Sequence, residues 1–271
     1  MSGRIRLLVC DIDGTLVRRD KSLSDGVISA MGRARDAGLA ISLISARPPS
    51  GMLGIATQLG LVSALGAFNG GTIIRPSGEV LSAMRLDSAC AAAALALLAE
   101  AAVTPWLFTN GQWYAQTVDE LYVPLERRAA SAEPIISKDF AGLLRHVDKI
   151  VGVSGDEGLL DRLQAKATVT LGTAAAVGRS QPYYLDITAP GANKGEGLSN
   201  LAMEFGVALE EVAVIGDQQN DLPMFARAGL SIAMGQAPES VRAAADRVTS
   251  SNEEDGVAHA IDSFILAEIA R

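Results

Sequence analysis

Cysteine is scarce in this 271-residue chain: there are two, Cys10 and Cys90, far apart, and the first lies inside an apolar run. That excludes a disulfide framework and fits a reducing compartment, so a cytoplasmic location is expected. Positive charge is also short. Lys and Arg number 23 against 31 Asp and Glu, giving a net charge of −8, and the densest basic stretches are Arg18-Arg19-Asp20-Lys21 and Arg127-Arg128. Such a surface does not attract nucleic acid or an acidic membrane, and neither is expected as a partner. Long apolar runs are missing too. The first, residues 5–10, is too short for a signal-peptide core or a membrane span of about 20 residues, so no targeting segment is expected. The alanine-rich residues 89–102 carry Leu95, Leu97 and Leu98 and read as an apolar-faced helix instead of a linker.

What is present is a 49% hydrophobic chain, enough to bury one large or two smaller cores. Short apolar runs alternate with helical segments: a strand over 5–10, a helix over 24–37, a strand over 39–44, a helix over 50–59 and a strand over 65–68. This β-α-β-α-β order implies a parallel sheet covered by helices. The pattern resumes with a helix over 194–205, a strand over 212–215, a helix over 220–228, a strand over 230–233, a helix after Pro238 and a terminal helix over 255–269. In between the character changes. After one long helix come strands over 106–108 and 112–117 around Asn110-Gly111, a hairpin signal, then a strand over 149–153, a helix over 157–167 and strands over 169–171 and 183–187. Paired strands of this kind suit an α+β unit. The expected organisation is a doubly wound α/β core, residues 1–81 and 190–271, interrupted by an inserted domain over 82–189.

Chemistry concentrates at strand ends. The run Leu7-Leu8-Val9-Cys10 stops at Asp11-Ile12-Asp13-Gly14, so two carboxylates converge on one small volume beside the strand tip. Their repulsion needs a shared proton or a cation, and oxygen ligation of this kind suits Mg2+. A second apolar strand ends at Gly216-Asp217, with Asn220 and Asp221 following. Carboxyl ends of parallel strands share one edge of the sheet, so Asp217 can meet Asp11 and Asp13 there. Asp221 has two open readings, metal ligation or capping of the next helix. Ser45, at the end of a third strand before Ala46-Arg47-Pro48, supplies a hydroxyl beside helix-end N–H groups, which suit an anion. Lys194, in Asn193-Lys194-Gly195, opens the helix by which the chain returns to the core, a placement that favours an inward-pointing lysine. Asn69-Gly70-Gly71 is either a tight turn or a substrate contact.

A cation-binding acid cluster, a hydroxyl, a lysine and helix-end N–H groups together suit a phosphoryl group. In that arrangement Asp11 attacks phosphorus to give an aspartyl phosphate, while Asp13 protonates the leaving oxygen and later deprotonates the attacking water.

In their order, Asp11-Ile12-Asp13-Gly14-Thr15, Ser45, Lys194 and Gly216-Asp217-x-x-Asn220-Asp221 resemble the four motifs of the haloacid dehalogenase (HAD) superfamily of phosphatases. The long insertion before Asn-Lys-Gly resembles the Cof-type branch, subfamily IIB, with a C2 cap. The resemblance covers nearly the whole chain. It implies a Rossmann-like α/β core with an inserted α+β C2-type cap, and a phosphomonoester hydrolase that uses Mg2+. It implies that Asp11 is nucleophile and metal ligand, that Asp13 is acid/base and binds metal through its backbone carbonyl, and that Asp217 is the remaining protein ligand. Asp221 then supports the metal shell, and Ser45, Lys194 and Asn220 contact phosphate. Where many Cof-type members have Thr-Gly-Arg this chain has Ser45-Ala46-Arg47; Ala46 stays a candidate for backbone contact with phosphate, with a Cβ added where the backbone approaches. Arg47 has two readings, reaching substrate or packing and pairing on the surface, and the second is favoured.

In the resembled family the cap selects the leaving group, so specificity is expected within 82–189. A small phosphorylated metabolite is the expected substrate, a sugar phosphate first. Among the polar-tipped aromatics Trp113, Tyr114, Tyr122, Tyr183 and Tyr184, most are expected to pack internally and one or two to meet substrate. Glu126, Arg127 and Arg128 either face the cleft or lie on a solvated helix face, and the second is favoured. Two further enzymatic and non-enzymatic readings stand beside this one: a phosphomutase of the same superfamily, and a phospho-acceptor signalling protein or sugar-phosphate sensor without turnover.

Overall fold

The first strand sets the architecture. Leu7–Cys10 is fully buried along its length, and its side chains alternate between two cores. Leu8 and Cys10 face one cluster with Val27, Met31 and Ala34 of the helix Asp25–Asp36. Leu7 and Val9 face the other, with Leu198 and Leu201 of the helix Lys194–Phe205. A strand apolar on both faces can only be central, and each such buried side chain contributes about 1.5–3 kcal/mol. The computed structural model describes residues 4–118 and 121–267.

The central sheet is five-stranded and parallel, in the order Arg247–Val248, Leu230–Ala233, Val212–Gly216, Leu7–Cys10, Ala40–Leu43. Leu65–Ala67 extends it through one parallel bridge between Ile44 and Gly66, then pairs antiparallel with Thr72–Ile74, which pairs with Val80–Ala83.

Between Ala83 and Lys194 the chain builds a second, six-stranded sheet, in the order Ala176–Gln181, Tyr184–Thr188, Val147–Val153, Thr104–Thr109, Gln112–Ala115, Ile135–Ile136. All its pairings are antiparallel except the last. Asn110 and Gly111 both have positive φ, 52° and 71°, and make the tight turn between Thr104–Thr109 and Gln112–Ala115. One face of this sheet is covered by the helices Ser88–Glu100 and Glu157–Leu171. The other face, with Trp106, Phe108 and Trp113, joins the same cluster as Met52 and Phe68 of the parallel-sheet core. This is the doubly wound core with an inserted α+β cap. The cap helix Val123–Ala130 lies against the core helix Ser50–Gln58, where the Ser50 hydroxyl donates to the Ala130 carbonyl at 2.6 Å. Among the described residues no helix is long and apolar enough to cross a membrane.

Some local expectations differ. Residues 169–171, expected as a strand, finish the helix Glu157–Leu171. Leu160, Leu163, Ala167 and Leu171 form a helical apolar stripe that outweighs the strand preference of Val169, which points to solvent. The helix expected over 220–228 is a 3-10 turn, Gln219–Asp221, followed by the short helix Leu222–Phe225 with Pro223 in its first turn. The terminal helix is Gly256–Ala260 continued by a π-helical stretch, Ile261–Leu266; its expected end at Ile269 lies outside the described residues. The hairpin Thr72–Ile74 with Val80–Ala83, the helix Val123–Ala130 and the strand Ala176–Gln181 were not signalled by periodicity.

Candidate active site

Asp11 is the first residue beyond Leu7–Cys10, and its N–H still follows the sheet pattern, donating to the Ile215 carbonyl at 2.9 Å. Because Cys10 pairs with Ile215 in parallel register, Asp217 emerges from the neighbouring strand at the same edge. Asp221 joins them after one 3-10 turn, and Asp11, Asp217 and Asp221 each offer a carboxylate oxygen within 4.8 Å of the others. All three are buried. Among the described residues the one cation in contact is Lys194 at the start of the helix Lys194–Phe205, whose Nζ lies 2.6 Å from Asp11 Oδ1 and 2.5 Å from Asp221 Oδ1.

Three buried carboxylates against one ammonium leave a surplus of negative charge, and the acids register it. Burial pushes the Asp11 carboxyl up to about 8, with Asp221 and Asp217 adding to the rise and Lys194 opposing it. Burial, then the charge of Asp221, likewise raises Asp217 to about 7. Burial disfavours the charged Lys194, but Asp11 and Asp221 outweigh it and hold the ammonium above its usual range. A divalent cation with oxygen preference fits this donor set, since it would supply the missing positive charge.

Asp221 caps the 3-10 turn that it ends, and its side chain makes no cap bond to the helix Leu222–Phe225. Its Oδ2 accepts from the Asp217 and Gln218 N–H groups at 2.8 Å each, capping the turn, while its Oδ1 takes the lysine. Asp217 is oriented by the Thr15 hydroxyl at 3.2 Å and the Gln218 amide at 3.1 Å. Gly14 lets the loop pass close above: its φ is +84°, and a Cβ there would overlap the Asp217 carboxylate. Gly14→Ala is therefore expected to destabilise the protein by about 1–3 kcal/mol, read as a shift in urea midpoint; an unchanged midpoint would mean that the turn relaxes freely.

Asp13 stands apart from the acid cluster. Arg47 holds it bidentately, Nε to Oδ2 at 2.6 Å and Nη2 to Oδ1 at 2.8 Å, and Lys21 Nζ adds a contact to Oδ1 at 2.6 Å. Burial works to raise this carboxyl, but the Arg47 and Lys21 contacts outweigh it and keep it well below the usual carboxylate range. Arg47 is thus buried and committed to Asp13 and the Gly51 carbonyl, not paired on the surface as its sequence context suggested.

Ser45 is buried, its Oγ accepting from the Arg47 N–H at 3.3 Å, and Ala46 beside it accepts through its carbonyl from Lys149 Nζ at 3.3 Å. Asn69 has the backbone of its turn reading, in the left-handed region at φ 59°, and its Oδ1 accepts from the Asn220 amide at 3.1 Å. A cleft with roughly 660 Å³ of empty space, part of it open solvent, is lined by Asp11, Asp13, Ser45, Ala46 and Asn220 on the core side. Asn69 and Lys194 line an adjoining cavity that Asn220 also reaches.

From the cap, Glu126, Lys149 and Tyr183 complete the cleft. Glu126 is buried instead of solvated, whereas Arg127 pairs with Glu133 and Arg128 is exposed. Trp113 and Tyr184 pack in the core with Trp106, while Tyr122 stacks on Tyr183 at 4.5 Å. Sequence reasoning missed Lys21 and Lys149. For Lys149 a signal existed: a lysine inside an otherwise apolar strand, Val147–Val153.

Comparison with known proteins agrees with this construction. The family model of haloacid dehalogenase-like hydrolases matches residues 8–261. An HMP-PP phosphatase from Cronobacter sakazakii is 30% identical, the match covering 86% of this chain and 85% of that one. A haloacid dehalogenase-like hydrolase from Bacteroides thetaiotaomicron superposes with a TM-score of 0.85 at 31% identity, covering 96% of this chain and 99% of that one. A sugar phosphatase of HAD subclass IIB superposes with a TM-score of 0.83 at 26% identity, covering 96% and 98%. The chain belongs to the haloacid dehalogenase-like hydrolases and is a phosphatase of their Cof-type, subclass IIB branch.

Proposed function

We propose that the protein hydrolyses a small phosphorylated metabolite, a sugar phosphate first, by a Mg2+-dependent route through an aspartyl phosphate, with residues 82–189 as the cap that selects the leaving group. The carrying observation is the buried cluster of Asp11, Asp217 and Asp221 held against the single Lys194. Bound there, Mg2+ would neutralise charge between the acids and an incoming phosphate and draw electron density from its oxygens. Asp11, Asp217 and Asp221 would hold it, with the Asp13 backbone carbonyl. The range of esters named for the relatives, HMP-PP and sugar phosphates, supports a small metabolite as substrate.

The chain's residues divide the work. An Asp11 oxygen attacks phosphorus as the ester P–O bond breaks, and Asp13 gives its proton to the departing oxygen. Water then attacks phosphorus while Asp13 takes its proton, and the P–O bond to Asp11 breaks to release inorganic phosphate. Lys194, Ser45 and Asn220 hold the phosphoryl oxygens, with the Ala46 backbone beside them, and Asn69 orients Asn220. Arg47 and Lys21 favour Asp13 as carboxylate, the form needed to accept a proton. Loading it with a proton requires these contacts to loosen, and Lys21, about a third exposed, is the less buried of the two cations.

Two buried and unpaired thiols, Cys10 and Cys90, support a reducing cytoplasm as the setting. The test is release of inorganic phosphate from p-nitrophenyl phosphate and a metabolite panel. Turnover should fall to background in EDTA and return with excess Mg2+. Full turnover in EDTA would overturn the metal assignment, and a long-lived phosphoprotein without phosphate release would favour a phospho-acceptor instead.

A further inference from the structure

The cleft carries a charge pattern that goes beyond what the hydrolytic reading uses. Three cations line it, Arg47, Lys21 and Lys149, and each is already engaged. Arg47 and Lys21 are bound to Asp13. Lys149, 4% exposed, sits 3.0 Å from Asp186 Oδ1 and donates to the Ala46 carbonyl. Glu126 is different. It is buried, only 8% exposed, it lines the cleft, and no cation lies within ion-pair distance of it among the described residues. Beside it the buried Tyr184 hydroxyl is directed at Glu126 and makes no other hydrogen bond among the described residues.

A buried carboxylate with no cation of its own, and a hydroxyl turned towards it, leave acceptor lone pairs facing one space, which asks for a ligand that donates hydrogen bonds. A second anionic group in the same space would meet Glu126 and find every cation taken. We propose that Glu126 is a specificity-determining residue: with Tyr184 it accepts a neutral leaving group bearing hydroxyl or amino donors and rejects one that carries a carboxylate or a second phosphate. The helix Val123–Ala130 makes this selection sharp, because Val123, Glu126 and Ala130 form its buried face and the cap docks through Ala130 on Ser50. Glu126 therefore cannot swing out to solvent without lifting the helix.

The inference rests on the phosphatase reading above, and its test separates the two. Glucose 6-phosphate and 6-phosphogluconate present the same phosphate and similar chains, but only the second adds a carboxylate. Their kcat/KM values, read from phosphate release or from competition with p-nitrophenyl phosphate, should favour the neutral ester in the wild type. Glu126→Gln should raise the ratio of the anionic to the neutral ester by about tenfold or more, equivalent to about 1.4 kcal/mol, and Glu126→Asp should leave it near the wild-type value. Wild-type preference for 6-phosphogluconate, indifference to both esters, or an unchanged ratio in Glu126→Gln overturns the assignment of Glu126 while turnover of p-nitrophenyl phosphate stands. Absence of turnover on every ester in the wild type overturns the phosphatase reading itself.

Discussion

Asparagine in place of Asp11 is expected to lower phosphate release on the order of 10⁴-fold or more, because the amide keeps the shape of the side chain but offers no anionic oxygen to phosphorus. Folding should survive. The carboxylate is buried beside Asp217 and Asp221, and Asn can still accept from Lys194 where Asp11 does now at 2.6 Å. Stability carries a second, independent readout. In metal-free protein burial first, and then the neighbouring acids, raise Asp11 to about 8, against an ordinary value near ~3.9 when unfolded. Between those two values the folded state binds a proton that the unfolded state has lost. The stability this provides is therefore complete below about pH 4 and lost as pH rises through about 8. Asp11→Asn removes the effect, so thermal unfolding without metal should depend less on pH in the variant, and the variant should be the more stable of the two at pH 8. Added Mg2+ should raise the wild-type melting temperature more than the variant's. Wild-type turnover in Asp11→Asn would refute Asp11 as nucleophile, and an identical pH dependence of melting would refute its raised carboxyl.

The parts of this site that could be read from the sequence are those fixed by topology. Asp11 and Asp217 each end an apolar run, and parallel pairing of Cys10 with Ile215 brings such ends together whatever the intervening chain does. Lys194 was legible because it opens the helix by which the chain returns to the core; in the structure Asn193 caps that helix, its Oδ1 accepting from the Gly195 and Glu196 N–H groups at 3.0 Å. The residues that were misread or missed are long side chains whose partners depend on tertiary packing. Arg47 looked like surface until the loop carrying Asp13 was placed against it, and Glu126 looked solvated because the helix Val123–Ala130 has only two turns and no periodic signal of its own. The same limit explains residues 169–171: Val-Thr-Leu has strand propensity, but the stripe from Leu160 to Leu171 already faced the cap sheet. Local preference decided where burial was weak, and packing decided elsewhere.

Lys194→Met should cost more than activity. Phosphate release is expected to fall about 10²–10³-fold, the scale of removing one positioned group that meets developing charge. The larger structural effect follows from what the ammonium now holds: Nζ contacts Asp11 and Asp221 at once, and the lysine is only 1% exposed. Methionine fills a similar volume and so leaves little cavity, but it strands two buried carboxylates without their one cation. Breaking a buried pair in this way costs about 3–5 kcal/mol, which should show as a lower urea midpoint in metal-free protein. Mg2+ should return part of that stability, since its charge reaches the same carboxylates, yet it should not return the lost turnover, because the contact to the phosphoryl oxygens is gone. Lys194→Arg should not rescue either quantity: a planar guanidinium needs more room than a point ammonium between Asp11 and Asp221, and it cannot place one donor atom on both. Equal midpoints for wild type and Lys194→Met without metal would mean that the acids are neutral there and that Lys194 is not their counter-charge. A Lys194→Met variant with wild-type turnover would remove the lysine from the reaction while leaving Asp11 in it.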